Sequence, residues 1–413
     1  MIYVQPNQVL KTNTSTCEKK NVFMSLLENR FQTYGYKEVK TPMFEPYDLY
    51  STVDGLIQQK DMIKVIDSTG KVLVLRPDAT IPLARMMAQY TEDKLKTSRY
   101  FYMMDVFRQT ESKTNNYNHM QAGIECFGNA SPGIDAEVLA LSKHVFQDIG
   151  FPDFTLEIGH AGFIEEVLSK LSFQEMEWKQ LKTYLQAKNK NDLQTFLIDK
   201  EIDNSMKEIL LAIPDLYGTP ESIIPKVKEL SLTNQMKKAV VHLETIYQQL
   251  ELYDMADHIV INFGLLNQMT YYSDIIFQGF IKGVGKPVLM GGRYDTLTEQ
   301  FGMEIPAIGF ACDIDLILNM WENSCPKEKN KDVVIHYDDQ MKSIKNAYRL
   351  ANELRRANWN VLCEHENEET SIGNNTNYIV CIQDKFIFQN KNKREIFPAI
   401  QDILKKLTQS NEI

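Results

Sequence analysis

The sequence predicts an α+β fold: an antiparallel sheet flanked by helices, interrupted by a helical insertion and followed by a small α/β domain. Three observations point there. Short β-rich runs follow one another between residues 38 and 106 without regular βαβ alternation. A helix-periodic stretch then separates them from further strand-like runs. Beyond Pro326 the order becomes strand, helix, strand, strand.

In chain order, Val22, Phe23, Leu26, Leu27 and Phe31 recur at helical spacing between Glu18 and Tyr34, and Gly35 supplies the stop. Strand character follows at Glu38 to Thr41, Met62 to Asp67, Val72 to Leu75 and Arg99 to Val106, with Ser68-Thr69-Gly70 as a turn. From about residue 162 to 257 the chain is rich in Leu, Lys, Glu and Gln at helical period, as in Glu175 to Lys188 and Ala239 to Leu250, which marks the insertion. Strand signals return at Ile259 to Phe263, Tyr271 to Phe280 and Val288 to Met290, so distant residues complete the sheet. The expected division is a core domain over residues 1–323, a linker at 324–331 containing Pro326, and a small α/β domain over 332–413. In the last, Val333 to His336, Asn360 to Leu362 and Tyr378 to Ile382 read as strands and Gln340 to Arg356 as a helix. Asn374-Asn375-Thr376-Asn377 and Lys391-Asn392-Lys393 read as loops.

Composition narrows the function classes. With 413 residues and 43% hydrophobic content the chain can fill two or three cores. Its formal net charge of -10 repels polyanions, which makes nucleic acid a poor partner. Six cysteines, all more than ten residues apart, and histidines without metal spacing argue against a disulfide scaffold or a zinc site. Met1 to Leu10 lacks a secretion signal and no uncharged apolar stretch approaches membrane-spanning length, so a cytoplasmic protein is expected.

Several segments carry polar groups that a sheet would not choose for stability: Arg76-Pro77-Asp78, Phe107-Arg108-Gln109-Thr110-Glu111, and Gln121 with Glu125. In a strand, Gln121 and Glu125 project from one face, where an amide and a carboxylate can read a polar solute. The competing reading of that pair is a solvated strand face. Arg108 competes with a structural role, as a cation paired with Glu111 or Glu125.

These pieces occur in the order of the class II aminoacyl-tRNA synthetases, and the chain resembles the histidyl enzymes in particular. Gly35-Tyr36, Val39, Thr41-Pro42 and Phe44-Glu45 resemble the first class motif, a dimer interface. Phe107-Arg108-Gln109-Thr110-Glu111 resembles the second. Leu75-Arg76-Pro77-Asp78-Ala79-Thr80 is similar to the segment that holds the amino acid's ammonium group, with Asp78 where glutamate is usual. Tyr271-Tyr272 and Gly291-Gly292-Arg293-Tyr294-Asp295 resemble the stretches that enclose the imidazole. The resemblance implies a histidine site of Asp78, Thr80, Arg108, Gln121, Glu125, Tyr271, Tyr272 and Tyr294. In it Asp78 takes the ammonium, Arg108 the carboxylate, Glu125 and Tyr272 the ring, and Gln121 and Thr80 bridge. Of Tyr271 and Tyr272, one is expected to point into the core if both lie in a strand.

The departures from that family point away from catalysis. Asn267 stands where an arginine works on the activated carboxylate, and Leu316 stands where an arginine packs on the nucleotide. The loop Thr114-Asn115-Asn116-Tyr117-Asn118 has no arginine. Cations aimed at a transferring phosphoryl group are each worth on the order of a hundredfold in rate, so their joint loss predicts no adenylate formation. A kept amino-acid pocket with lost ATP chemistry resembles the synthetase-like regulatory subunits of ATP phosphoribosyltransferase in histidine biosynthesis. That implies a short-form ATP phosphoribosyltransferase catalytic subunit as hetero-oligomeric partner, histidine as effector, and a homodimer formed around Glu18 to Phe44. It also implies no catalytic residues, no cofactor and no bound tRNA. The balance of fourteen Lys/Arg against thirteen Asp/Glu from Pro326 to Ile413 agrees with the last. An active histidine-tRNA ligase and a stand-alone amino-acid sensor are the competing functions. His119, His160 and His258 look isolated and are assigned nothing. Gly291-Gly292 could serve only a turn or a close backbone approach, and Arg293 is a positional match.

Overall fold

The computed structural model describes residues 14–51, 59–90, 97–109, 117–265, 271–321, 332–357, 359–365, 377–390 and 393–409. By internal contacts the chain divides into Met1–Asn323 and Ser324–Ile413. The expected linker, 324–331, lies outside the described residues.

The first unit opens with α1 (Thr14–Thr33), β1 (Lys37–Glu38), β2 (Phe44–Pro46), α2 (Tyr47–Ser51), β3 (Lys64–Ile66), β4 (Val72–Leu75) and α3 (Thr80–Tyr90). It continues with β5 (Ser98–Phe107), β6 (Asn118–Phe127), α4 (Pro132–Asp148) and β7 (Thr155–His160). The helical stretch comprises α5 (Ala161–Ser169), α6 (Glu175–Gln186), α7 (Lys190–Ile198), α8 (Asn204–Ala212), β8 (Tyr217–Gly218), α9 (Pro220–Leu230) and α10 (Asn234–Leu252). The unit closes with β9 (Ile259–Asn262), β10 (Ile275–Phe280), β11 (Leu289–Arg293), α11 (Asp295–Glu299), β12 (Ala307–Asp313) and α12 (Ile314–Met320).

Helix α1 ends as its sequence requires. Gly35 takes φ +79°, its N–H donates to the carbonyl of Gln32 at 2.9 Å, and the Tyr36 N–H reaches back to that of Phe31 at 3.2 Å. This paired closure needs a left-handed residue, which glycine adopts without a Cβ penalty. Phe23, Leu27 and Phe31 are buried on the core face of the helix, where Phe31 meets Phe101 of β5 and Phe310 of β12.

A nine-stranded sheet in the order β1-β5-β6-β12-β11-β10-β7-β9-β8 forms the centre. It is mixed, which corrects the purely antiparallel expectation: β1 runs parallel to β5 and β7 parallel to β9, while the remaining pairs are antiparallel. The parallel pairs arise where the chain leaves the sheet through long connections before returning, and such crossovers reverse the strand sense that a hairpin would impose. The insertion is not wholly helical either, because Tyr217 and Gly218 add an edge strand against β9. Alternation along β6 and β12 divides the two faces. Ala122, Ile124, Cys126, Ile308, Phe310 and Cys312 belong to the core packed with α1 and α4, whereas Gln121, Gly123, Glu125, Gly309 and Ala311 have the opposite parity.

A separate three-stranded sheet, β2-β4-β3, stands at the side. Asp67 shapes its hairpin by accepting from the N–H groups of Thr69 and Lys71, and Gly70 takes φ +85°.

The second unit contains β13 (Asp332–Tyr337), α13 (Met341–Arg356), β14 (Asn360–His365), β15 (Asn377–Ile382), β16 (Lys385–Asn390), β17 (Lys393–Phe397) and α14 (Ile400–Gln409). Its sheet order is β14-β13-β15-β16-β17, with β13 parallel to both neighbours. Ala347, Leu350 and Leu354 of α13 and Ile403 and Leu407 of α14 share a core with Val333, Ile335, Ile379 and Phe386. Lys393, expected in a loop, begins β17 opposite Asn390. Residues 374–376 and 391–392 lie outside the described residues. No helix among the described residues is long and apolar enough to cross a membrane.

Candidate functional site

All eight residues named from the sequence line one cavity of about 190 Å³ in the first unit, with Val288, Met290, Gly309 and Asp313 among the other walls. The sheet supplies the floor. Gln121 and Glu125 rise from the same face of β6, and Gly309 of β12 pairs with Glu125 in register. A Cβ at Gly309 would stand 1.9 Å from Glu125 Oε2 and 2.3 Å from the Ile124 carbonyl, so only glycine leaves room for this carboxyl.

Glu125 is 1% exposed. Its Oε1 accepts from the Thr80 hydroxyl at 2.7 Å and its Oε2 accepts from Tyr294. Burial raises its pKa to about 8; the two hydroxyl bonds oppose that rise and the neighbouring charge of Asp78 adds to it. At neutral pH the carboxyl is therefore largely protonated, ready to share its proton with a basic ligand.

Asp78 lies between β4 and α3 and is 6% exposed. Its Oδ1 accepts from the Ile81 N–H at 2.9 Å, which anchors it over the first turn of α3. Burial raises its pKa, opposed by Arg108. Arg108 follows β5; its Nε donates to the Pro77 carbonyl at 2.7 Å, and its Nη2 stands 3.7 Å from Asp78 Oδ2. Of the structural pairings considered for Arg108, Glu125 is instead bonded to Thr80 and Tyr294 and the near carboxylate is Asp78; Glu111 lies outside the described residues. Arg76, by contrast, is scaffold, with guanidinium bonds to the carbonyls of Thr41, Pro42 and Asp105 that tie β4 to its neighbours.

Tyr271 and Tyr272 precede β10, which begins only at Ile275. The expected opposite orientation is thus corrected: outside a strand, alternation does not apply. Both rings are buried in one cluster with centroids 4.8 Å apart, and both line the cavity. Gly292 sits in β11 rather than a turn, and a Cβ there would meet Tyr272 Cδ1 at 2.6 Å.

Tyr102 was not anticipated. It is buried at 1%, and its hydroxyl hydrogen-bonds Thr80. Its placement is a tertiary relation with no local sequence signal: Tyr102 faces Gly123 across β5 and β6, and a Cβ at Gly123 would lie 2.5 Å from the tyrosine hydroxyl.

Arg293 does not reach this cavity. It is 1% exposed and held by Asp135 through Nε at 3.1 Å and through Nη2, and by Asp295 at 3.2 Å. Asp135 also accepts from His242 Nε2 at 2.9 Å. His242 Nδ1 faces Asp274 Oδ1 at 3.2 Å, and His160 Nε2 contacts the same oxygen. His160 is therefore not isolated. Burial opposes charge on His242, yet its bonds to Asp135 and Asp274 prevail and lift its pKa to about 9.

Of the departures, Leu316 lies on α12, half-buried and packed against the main core; Asp313 caps that helix by accepting from the Leu316 N–H at 3.0 Å. Asn267 and residues 110–116 lie outside the described residues, and Tyr117 is 50% exposed.

Sheet, cavity and flanking helices define a class II synthetase-type chain. The family model for histidyl-tRNA synthetase matches residues 12–317. A regulatory subunit of ATP phosphoribosyltransferase from Oceanobacillus iheyensis is 38% identical over 395 residues, covering 94% of this chain and 96% of that relative. One from Bacillus cereus is 33% identical over 369 residues, covering 88% and 83%. The chain belongs to the ATP phosphoribosyltransferase regulatory subunit family, within the histidyl-tRNA synthetase-like fold. Among solved structures, an ATP phosphoribosyltransferase regulatory subunit/histidyl-tRNA synthetase from Bacillus halodurans superposes with TM-score 0.80 at 25% identity, covering 92% of this chain and 99% of that one. A histidine-tRNA ligase subunit from Alicyclobacillus acidocaldarius shares the fold, with TM-score 0.61 at 22% identity over 76% of this chain.

Proposed function

We propose that this chain is a non-catalytic subunit that activates a short-form ATP phosphoribosyltransferase catalytic subunit in the cytoplasm and lowers its activity when histidine occupies the cavity. The observation that carries the ligand assignment is the Asp78–Arg108 pair. At 3.7 Å it is too long for a hydrogen bond, so a zwitterion exchanges one loose ion pair for two charge-assisted bonds, ammonium to Asp78 and carboxylate to Arg108. The side chain then points to Glu125, Tyr272 and Tyr294, with Thr80, Gln121 and Tyr271 completing the wall.

Adenylate formation is lost in this reading, because Leu316 supplies no cation and packs into the core. No tRNA is bound. The homodimer forms through the small sheet: Phe44, Leu73, Leu75 and Val65 share one face by register, and Phe44 is 50% and Val65 37% exposed. This face continues the expected segment ending at Phe44, whereas the apolar face of α1 is spent on the core.

Signal transmission requires histidine to prefer the inhibited complex over the active one. Calorimetric titration with histidine, with and without the phosphoribosyltransferase, tests the reading, alongside activity of that partner against histidine concentration. Histidine-dependent ATP–pyrophosphate exchange by the purified chain would instead establish an active ligase.

A further inference from the structure

Outside the lining of the amino-acid cavity, three side chains distant in sequence converge. His160 ends β7, His242 lies in the middle of α10, and Asp274 immediately precedes β10. His242 Nδ1 is 3.2 Å from Asp274 Oδ1 and 3.5 Å from His160 Nε2, and His160 Nε2 contacts that same carboxylate oxygen. These three atoms form a compact triangle that could hold a metal ion. Zinc bonds of about 2.0–2.1 Å meeting at a tetrahedral angle set neighbouring donors roughly 3.3–3.4 Å apart. Two sides of the triangle are close to that length, and the third, His160 to Asp274, is much shorter and has to open by about 1 Å for an ion to enter.

We propose that His160, His242 and Asp274 form a binding site for a divalent transition ion, zinc in the first place, with the fourth position open to the adjoining cavity. Two features support an ion beyond the triangle itself. The outer nitrogen of His242 bonds Asp135 at 2.9 Å, and Asp135 is fully buried and clamped by Arg293. That carboxylate fixes the ring with its proton on Nε2 and leaves Nδ1 directed at the triangle, the orientation a histidine ligand needs. The adjoining cavity, about 540 Å³, carries Glu165 and Glu166 against Lys238, with Glu166 paired to Lys170 at 3.3 Å, which leaves Asp274 as the surplus negative charge facing a cation.

Coordination displaces the protons that His242 Nδ1 and His160 Nε2 now share with Asp274. The His242 proton leaves to solvent. The His160 proton passes to Nδ1, which gives up its 3.3 Å contact with the Phe163 N–H, a first-turn amide of α5 with no intrahelical partner to lose. The ion would thereby bind α10 of the insertion to β7 and β10 of the central sheet. Imidazole and carboxylate donors at this spacing select zinc, cobalt or nickel over calcium and magnesium, which take all-oxygen shells.

The test uses the full chain without an affinity tag, stripped by chelator and titrated with Zn²⁺ by calorimetry and with Co²⁺ by visible absorption. The expected result is one ion per chain, with the intense d–d band of four-coordinate Co²⁺ and a raised thermal midpoint. His242→Gln and Asp274→Asn should each abolish the band, and Asp135→Asn should weaken binding roughly 10–100-fold by freeing the His242 ring. Asp274 is about one-third exposed, so its variant keeps the test valid if His242→Gln fails to fold, as circular dichroism would report. No heat and no band in the wild-type chain would overturn the proposal, as would a band that persists in folded His242→Gln or Asp274→Asn.

Discussion

Replacing Glu125 with glutamine exchanges one buried oxygen for an amide nitrogen and removes a proton site, with two separable consequences. The first concerns folding. The carboxyl is 1% exposed, and its pKa stands at about 8 against an ordinary 4.5. A raised folded-state value contributes stability that is fully present below pH 4.5 and is lost as pH rises through 8. At about 1.4 kcal/mol per pH unit the whole loss is bounded at roughly 5 kcal/mol. Wild type should therefore lose stability relative to Glu125→Gln between pH 5 and 8 in denaturant titrations. The second consequence concerns histidine. Near pH 7 Glu125 carries one proton and free histidine a neutral imidazole, whose pKa is about 6.5; the complex shares that single proton, so binding takes up none. Above pH 8 a proton must come from solvent, and affinity should fall toward tenfold per pH unit. Below about pH 6.5 a proton must leave, and affinity falls again. Glu125→Gln should weaken histidine by on the order of 2 kcal/mol, roughly thirtyfold, and abolish the alkaline limb near pH 8. Calorimetry across pH 5.5–9 measures both effects, and feedback inhibition of the phosphoribosyltransferase should shift to higher histidine while activation survives. A folded Glu125→Gln chain with unchanged affinity and an unchanged pH profile would refute the assignment and place the effector elsewhere.

Gly309→Ala forces a Cβ to within 2.3 Å of the Ile124 carbonyl, backbone that cannot rotate away; a loss of about 3 kcal/mol in chemical denaturation is expected, with histidine binding abolished. Asp135→Ala leaves the buried Arg293 with Asp295 as its remaining carboxylate partner, and thermal denaturation should show a cost of about 3 kcal/mol. Phe44→Asp places a charge in the half-exposed apolar face of the small sheet, so sedimentation should show monomers that still bind histidine. Leu316→Arg restores one cation to α12, but groups that act as a unit do not add singly, and ATP–pyrophosphate exchange should stay at background; substantial exchange would show the catalytic loss to be shallow.

Much of the cavity was legible in the chain itself because its chemistry is carried by local relations. Gln121 and Glu125 share a face since strand side chains alternate, whatever the neighbouring strand is. Asp78 follows β4 and caps α3, a relation spanning four residues. Gly35 ends α1 through its own backbone freedom. The order of such segments sufficed to indicate a class II synthetase-like α+β fold and to name eight residues that line one cavity. What the sequence could not decide is every relation that depends on which strands become neighbours. The parallel pairing of β7 with β9 follows from a crossover through nearly a hundred intervening residues, and no local pattern encodes its sense. Tyr271 and Tyr272 both enter the cavity because β10 begins at Ile275, four residues after the expected start at Tyr271, which lifts the constraint of alternation. Tyr102 meets Thr80 of the cavity wall because β5 pairs in one register with β6 and sets it over Gly123. His160, His242 and Asp274, separated by 82 and 32 residues along the chain, read as unrelated polar positions. They become a cluster only when α10 packs beside β7 and β10, because side-chain chemistry acts over a few ångströms in space and sequence distance carries no information about that approach.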